Sequence, residues 1–558
     1  MRALRIVGIV VGCVVAILIV AIVALWLIVN PNDYKGRIEA AVRTSTGRDL
    51  SLSGNIHLAI FPSIALELGP ASLGNPPGFS SSRPFASLQR VALRVRLFPL
   101  LHHQLDVGRI EIDGLDLQLL ENARGQGNWS MPAGRQGVPA AQSSGSQMSL
   151  GGIGGVVVRN SRISYQDMRA DGVNIDIGQV AKGVAVPVSW NLDLVTAGGA
   201  RPIALSGKAM LRYDAKTAHL EDLAARIDDS TLRGNAAVTN LTTGATTFDL
   251  AIDRIDLDRY LGPASPSKAA APPPAAARSQ PPSELPTSAL KTLQLNGKLT
   301  IGNAIYYGLK LSRVDVGLAA DRGVLHISPA TANLYGGSST GDVTLDARGT
   351  VPVLHLNEKL SGVQVQPLLA DFAKLGRVSG QGNVTLDVTA RGNTSAALLG
   401  SLDGHAAANL AHGAIRGLDL WSAINSAAAL AQRHSLPSGG MGNRTVFDTF
   451  SASAELTNGV ATTKDLDISS GDLEVTGQGT ANLVTEAVDY HVNAAILKGA
   501  AAGAALANVP LLISGTLTSP KVRPDTQALV KALAQQQLQK HKGAVENKLR
   551  GLLKGLIH

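Results

Sequence analysis

One cysteine stands in 558 residues, aromatics make up 4% and charged residues only 16%, against about 25% charged in an ordinary soluble domain. That cysteine, Cys13, lies inside the first apolar run, so the rest of the chain has no disulfide framework and no thiol chemistry. The net charge of +8 is not gathered into basic clusters interleaved with aromatics, which argues against a nucleic-acid surface. Motifs of chemistry are missing too. There is no H-E-x-x-H and no metal-spaced Cys/His set, and Gly207-Lys208 and Gly297-Lys298 lack the upstream glycine of a phosphate loop. Gly337-Ser338-Ser339-Thr340-Gly341 matches G-x-S-x-G by letter, but it lies among strand-like segments and reads as a turn rather than a nucleophile elbow. Neighbours such as His102-His103 would point to opposite faces of a strand, so they read as loop. Asp228-Asp229 sits beside turn residues. Nothing here asks for an enzyme, a metal or a cofactor.

What the chain does have is an unbroken apolar run from Ile6 to Val29, flanked by Arg2 and Arg5 before it and Asn30-Pro31-Asn32-Asp33 after it. As a helix it would span roughly 36 Å, enough to cross a ~30 Å hydrocarbon core. It is too long for a cleaved signal sequence and has no small-residue cleavage site. The arginines before it predict a cytoplasmic stub over 1–5, an uncleaved anchor over 6–29 and export of everything from about residue 32.

Beyond the anchor, Asn32 or Asp33 is placed to cap a short helix carrying Ile38, Ala41 and Val42, stopped at Gly47. The period then changes to two. Leu50, Leu52, Ile56, Leu58 and Ile60 alternate with polar residues, and Val91, Leu93, Val95 and Leu97 alternate with Arg90, Arg94 and Arg96. Such alternation predicts strands with one apolar and one wet face. The arginine stripe is the solvated face of a strand or a contact for phosphate headgroups. Residues 32–261 form one β region and 289–524 a second. Between them a Pro/Ala-rich stretch, 262–288, reads as a linker, and Ser130–Ser149 as a flexible loop. A second helix is expected near Leu418–Gln432. The last segment, 525–558, reads as a basic amphipathic helix, suited to a membrane surface or to covering a sheet edge.

Three segments repeat: G-R-I-E-I-D-G from Gly108, G-G-V-V-V-R-N from Gly154, and G-K-L-T-I-G-N from Gly297, with Gly413–Leu420 a degraded fourth. Each carries Gly114, Asn160 or Asn303 at one place, the residue types that most readily take positive φ. The apolar parity changes there, as a β-bulge would make it do. A tight hairpin at Asp113-Gly114 is the alternative, and fits Asn160-Ser161 less well. Repeated units predict a sheet built by accretion.

The residues also resemble the AsmA family of Gram-negative envelope proteins. The resemblance rests on Val29–Tyr34 after the anchor, Thr46-Gly47-Arg48, Leu73–Phe79, Leu97–Leu101 and Val107–Leu115. Later runs, Val363–Leu369, Ser379–Gly382 and Gly413–Leu420, extend it over most of the chain. It implies a single-pass inner-membrane protein with a periplasmic bulk that supports outer-membrane biogenesis. The fold implied is mainly β: an elongated, curved, mostly antiparallel sheet forming an apolar groove through which phospholipid moves. Ile110, Ile112, Leu117, Ile163, Leu299 and Ile301 are the expected groove residues. Membrane phospholipid and envelope proteins are the expected partners. A scaffold for outer-membrane assembly, its sheet filled by its own side chains, is the competing reading.

Overall fold

The computed structural model describes residues 31–59, 64–79, 81–95, 104–122, 126–129, 149–180, 183–196, 201–261, 287–432, 444–471, 473–496, 508–531 and 534. The anchor 6–29, Arg96, Leu97–Leu101, His102-His103, nearly all of Ser130–Ser149, the linker to 286 and most of the terminal helix lie outside them. Among the described residues no helix is long and apolar enough to cross a membrane. The described residues are mainly β, with 28 strands among them in mixed pairing, and the chain divides into two compact units, 1–250 and 251–558.

Unit 1 opens with helix α1 (Lys35–Thr46), ended by Gly47 at φ 72, as a left-handed stop requires. Tyr34 stands at its N-cap, and its side chain makes no cap bond. Asn32 instead accepts from the Ile56 amide at 2.9 Å and donates to the Ile56 carbonyl at 3.1 Å, so the expected cap serves as a strand clamp. Eight strands follow, all but β7 short: β1 (Leu50–Ser51), β2 (Ile56–Ala59), β3 (Ile64–Leu68), β4 (Ala71–Leu73), β5 (Ala86–Leu88), β6 (Arg90–Val95), β7 (Gln104–Asp113) and β8 (Asp116–Leu119). Longer ones then meander: β9 (Ser149–Tyr165), β10 (Met168–Ile177), β11 (Val186–Val195), β12 (Ile203–Tyr213), β13 (Ala218–Ile227) and β14 (Ser230–Asn240). β15 (Ala245–Asp256) carries the boundary between the units.

β7 and β8 lie end to end along β9, and both pair with it in parallel, Ile112 beside Val158 and Leu117 beside Ile163. The hairpin alternative at Asp113-Gly114 is therefore excluded. Gly114 is left-handed at φ 63 and donates to the Arg159 carbonyl at 3.0 Å. It is a shared kink rather than an inserted residue, because the register with β9 is the same before and after it. Asn160, at φ 50, is a true bulge: β9 spends three residues from Val158 to Ser161 where β10 spends two, Val173 to Ile175. Asn303 departs from expectation. It is not left-handed; the left-handed residue at that level is Arg313 (φ 48), on the neighbouring strand across from Gly302. Gly302 lies flush on the Asp253 carbonyl, where a Cβ would come within 2.3 Å, so the kink falls one place before Asn303.

Unit 2 is an antiparallel meander of β16 (Gln294–Tyr306), β17 (Leu309–Asp321), β18 (Val324–Leu334), β19 (Gly337–Asp346), β20 (Val353–Gln364) and β21 (Val378–Arg391). It continues through β22 (Asp403–Arg416), β23 (Arg444–Thr457), β24 (Val460–Ser470), β25 (Leu473–Asn482), β26 (Ala487–Ile496), β27 (Asn508–Thr516) and β28 (Ser519–Pro524). The G-x-S-x-G letters fall inside β19, not at a turn; the turn is Tyr335-Gly336, both at positive φ. Among the described residues three helices interrupt the meander: α2 (Val365–Phe372), α3 (Ser395–Gly400) and α4 (Leu420–Gln432). α4 presents Leu420, Ala423, Ile424 and Ala427 on one face, each 6% exposed or less, which is helical spacing for a packed stripe. That stripe sits on β23, β27 and β28. Thr445, 2% exposed, ties its start by accepting from the Leu420 amide and donating to the Leu418 carbonyl at 2.7 Å. α2 is held by Asp371, which takes the Tyr335 hydroxyl at 2.7 Å and pairs with Lys310. Those two partners hold its carboxyl below the ordinary range.

Candidate functional site

Strand pairing turns the alternation into continuous rows. In unit 1 a row begins Ile56, Leu68, Val91, Ile112, Val158 and Ile175, and runs on through Trp190, Gly207, Ala225 and Leu232. It takes one residue per strand and meets no polar side chain. Gly207 is there because the Trp190 ring occupies its place; a Cβ would lie 2.5 Å from it. The next row carries Leu58, Leu66, Leu93, Ile110, Val156 and Ile177. Beyond the kinks at Gly114 and Asn160 the parity moves by one, and Leu117, Ile163 and Ala170 continue the apolar set. Ile110, Ile112, Leu117 and Ile163 are all half-buried. α1 buries none of its side chains.

The other face of the same strands carries paired charges, with Ala92 and Val157, each 6% exposed or less, covered on either side of Glu111. Glu111 takes Arg94 at 3.2 Å and Arg90 at 3.5 Å, Arg90 also holds Glu67 at 2.8 Å, and Arg109 meets Asp176. The described part of the arginine stripe is thus matched by carboxylates and is the solvated face of the sheet. Among the described residues no group of His, Cys, Asp and Glu is arranged to hold a metal.

Unit 2 repeats the pattern. One row runs Gly297, Leu318, Ile327, Val343, Leu356 and Val388, and then Gly404, Leu456, Ala461, Ala481 and Val488. Leu299 begins another with Val316 and Ala330, and Ile301, 7% exposed, pairs with Val314. Here the face is covered in part by the chain itself. Leu410, Ile468, Val475, Ala494 and Val509 are 7% exposed or less in the cluster that includes α4 and α2. Val343, Leu354, Leu356, Val384 and Leu386, outside that cluster, stay half-buried. The arrangement is an aliphatic surface, filled at one end and accessible elsewhere. It can hold alkyl chains.

Two sets of residues were not visible as a pattern in the sequence. Bulges at Asn160, Asp222 and Gly362 each turn an amide out of the ladder, and each amide is taken by an asparagine on the facing strand. The acceptors are Asn174 at 3.0 Å, Asn235 at 3.1 Å and Asn383 at 2.9 Å. Each replaces a ladder bond worth about 1 kcal/mol. The second set is a buried knot. Arg48 of Thr46-Gly47-Arg48 is 7% exposed, stacks 4.6 Å from Phe85 and donates to the Asn128 carbonyl at 2.7 Å. Burial lowers its basicity. Asn128, fully buried, donates to Asn75 of the Leu73–Phe79 segment at 2.8 Å. Two of the segments that carry the family resemblance therefore meet in one structural clamp.

Comparison with known proteins agrees with the residues. Residues 1–192 and 204–466 match the AsmA family. Protein AsmA of Escherichia coli (strain K12) is 22% identical over 541 residues, covering 87% of this chain and 86% of that protein. No solved structure matches with significance.

Proposed function

The chain belongs to the AsmA family, and on that premise we propose that it serves envelope biogenesis by carrying phospholipid along the apolar faces of its sheet. In this reading residues 6–29 anchor it in the inner membrane, Met1 faces the cytoplasm, and the β regions stand in the periplasm as a lipid-lined groove. The observation that carries the reading is the unit 1 row through Val91, Ile112, Val158 and Ile175, apolar at every strand and half-buried from Leu68 onward. At roughly 0.8 kcal/mol per methylene covered, such a face returns much of what an acyl chain loses on leaving a bilayer. In this reading transfer runs down a gradient or draws on an envelope partner.

Photo-crosslinkers at Ile110, Ile112, Leu117, Ile163, Leu299 and Ile301 are expected to capture phospholipid in cells. Those at Glu111 and Thr300, in the opposite phase of the same strands, are expected not to. Equal capture from both phases, or protein adducts alone, would favour the scaffold reading. That second reading has its own support in the α4-covered end of unit 2, which is a packed interior. Topology has a separate test. A reporter fused at Gly262 should work only if it requires the periplasm; activity from a reporter that works only in the cytoplasm would overturn the orientation.

A further inference from the structure

The unit 2 row that begins at Leu299, Val316 and Ala330 passes Gly341 and then meets a charge, Glu358, before returning to Leu386. Glu358 is in phase with Leu354, Leu356 and Leu360 on its own strand, so it shares their aliphatic face. It is half-buried. The carboxylate is held rather than free: Ser339 Oγ donates to Oε1 at 2.6 Å, the length of a bond to an ionised acceptor. Across the ladder stands Gly341, where a Cβ would lie 2.4 Å from Oε2. A residue without a side chain thus leaves the second oxygen its space. Burial raises the carboxyl above its ordinary range, against the pull of the Ser339 and Thr340 donors and with the help of repulsion from Asp342, and no cation is among the groups that act on it. Its neighbour Lys359 lies in the opposite phase, aligned with Thr340 and Thr385.

A half-buried carboxylate with no counter-ion is costly in an aliphatic face unless something brings it a positive charge. We propose that Glu358, positioned by Ser339 and given room by Gly341, is the anchor for the ammonium headgroup of an amphiphile whose chains lie on the flanking aliphatic rows. The assignment rests on the lipid-carrying reading above and adds a headgroup preference to it. Amine-bearing zwitterionic lipids are favoured because the ammonium satisfies Oε2, while lipids whose headgroup is only anionic are repelled.

The test uses the full chain with a photo-reactive residue in place of Leu386. It is mixed with vesicles of equal parts phosphatidylethanolamine and phosphatidylglycerol, and captured lipid is read by mass spectrometry. The native Glu358 should enrich the amine lipid by about threefold or more. Glu358→Gln, which keeps the shape and the Ser339 bond, should bring the two lipids to parity by lowering capture of the amine lipid. Glu358→Lys should reverse the preference. Parity with Glu358 in place, or a preference that survives Glu358→Gln, overturns the assignment while leaving lipid carriage intact. No lipid captured from position 386 or from Ile112 overturns both.

Discussion

Phe447→Ala should lower the stability of unit 2 by about 3–5 kcal/mol, the range for emptying an aromatic site in a packed core. Phe447 is 1% exposed, with its ring 5.9 Å from that of Phe450 in the cluster that α4 closes. Gly413, on the paired strand, makes room for it; a Cβ there would lie 2.4 Å from the ring. Removing the ring leaves a cavity bounded by backbone that cannot collapse around it. Val384→Ala is the comparison. Val384 points to the same side of the sheet, but it is half-buried and lies outside that cluster, so its loss should cost only about 1 kcal/mol. Hydrogen exchange of the α4 amides in the full chain, followed through urea, reads both. A wild-type midpoint for Phe447→Ala would mean that α4 does not seal a core. Equal costs at the two sites would mean the face is filled along its whole width, and the groove reading would lose unit 2.

The difference between those two positions is invisible in sequence, because a lined groove and a packed interior alternate alike. Alternation did place the strands and the apolar phase correctly, and it did so most clearly where the period is strict, as in Leu93, Ile110 and Ile112. The kinks were legible only where the residue type advertises positive φ. Gly114 and Asn160 do; Arg313 does not, since nothing local to an arginine favours a left-handed backbone, and it lies where the register of β17 with β18 shifts between Ser312 and Asp315. The course of the chain after Gly114 was likewise undecidable locally. A hairpin and an end-to-end continuation use the same residues, and only the parallel pairing with β9, more than thirty residues away, selects one. Glu358 is the opposite case. Its phase with Leu354, Leu356 and Leu360 is written in the chain, and a charge in the apolar phase was the available signal.

Ile112→Asp should cut phospholipid captured by unit 1 at least about tenfold while the unit stays folded. The argument turns on exposure. Val173 is 1% exposed, so an aspartate there would be an unpaired charge in the interior and the unit would unfold. Ile112 is only half-buried, between Val91 and Val158 in an apolar row, so a carboxylate at 112 can reach water and the strands can keep their register. An acyl chain lying across that row has no such escape. Losing contact with two methylenes costs it about 1.6 kcal/mol, a little more than the 1.4 kcal/mol that corresponds to tenfold, before any cost of hydrating the chain beside a charge. Glu111→Gln, one residue away on the wet face, removes a partner of Arg90 and Arg94 and should leave lipid capture unchanged. Capture is read by crosslinking from position 158 in cells, and folding by protease resistance of the same samples. If Ile112→Asp destroys protease resistance, Ile112 belongs to a filled interior and the scaffold reading holds for unit 1. If the aspartate is tolerated and lipid capture persists, the lipid follows a path other than this row, and the residues that line it have to be sought away from Ile112.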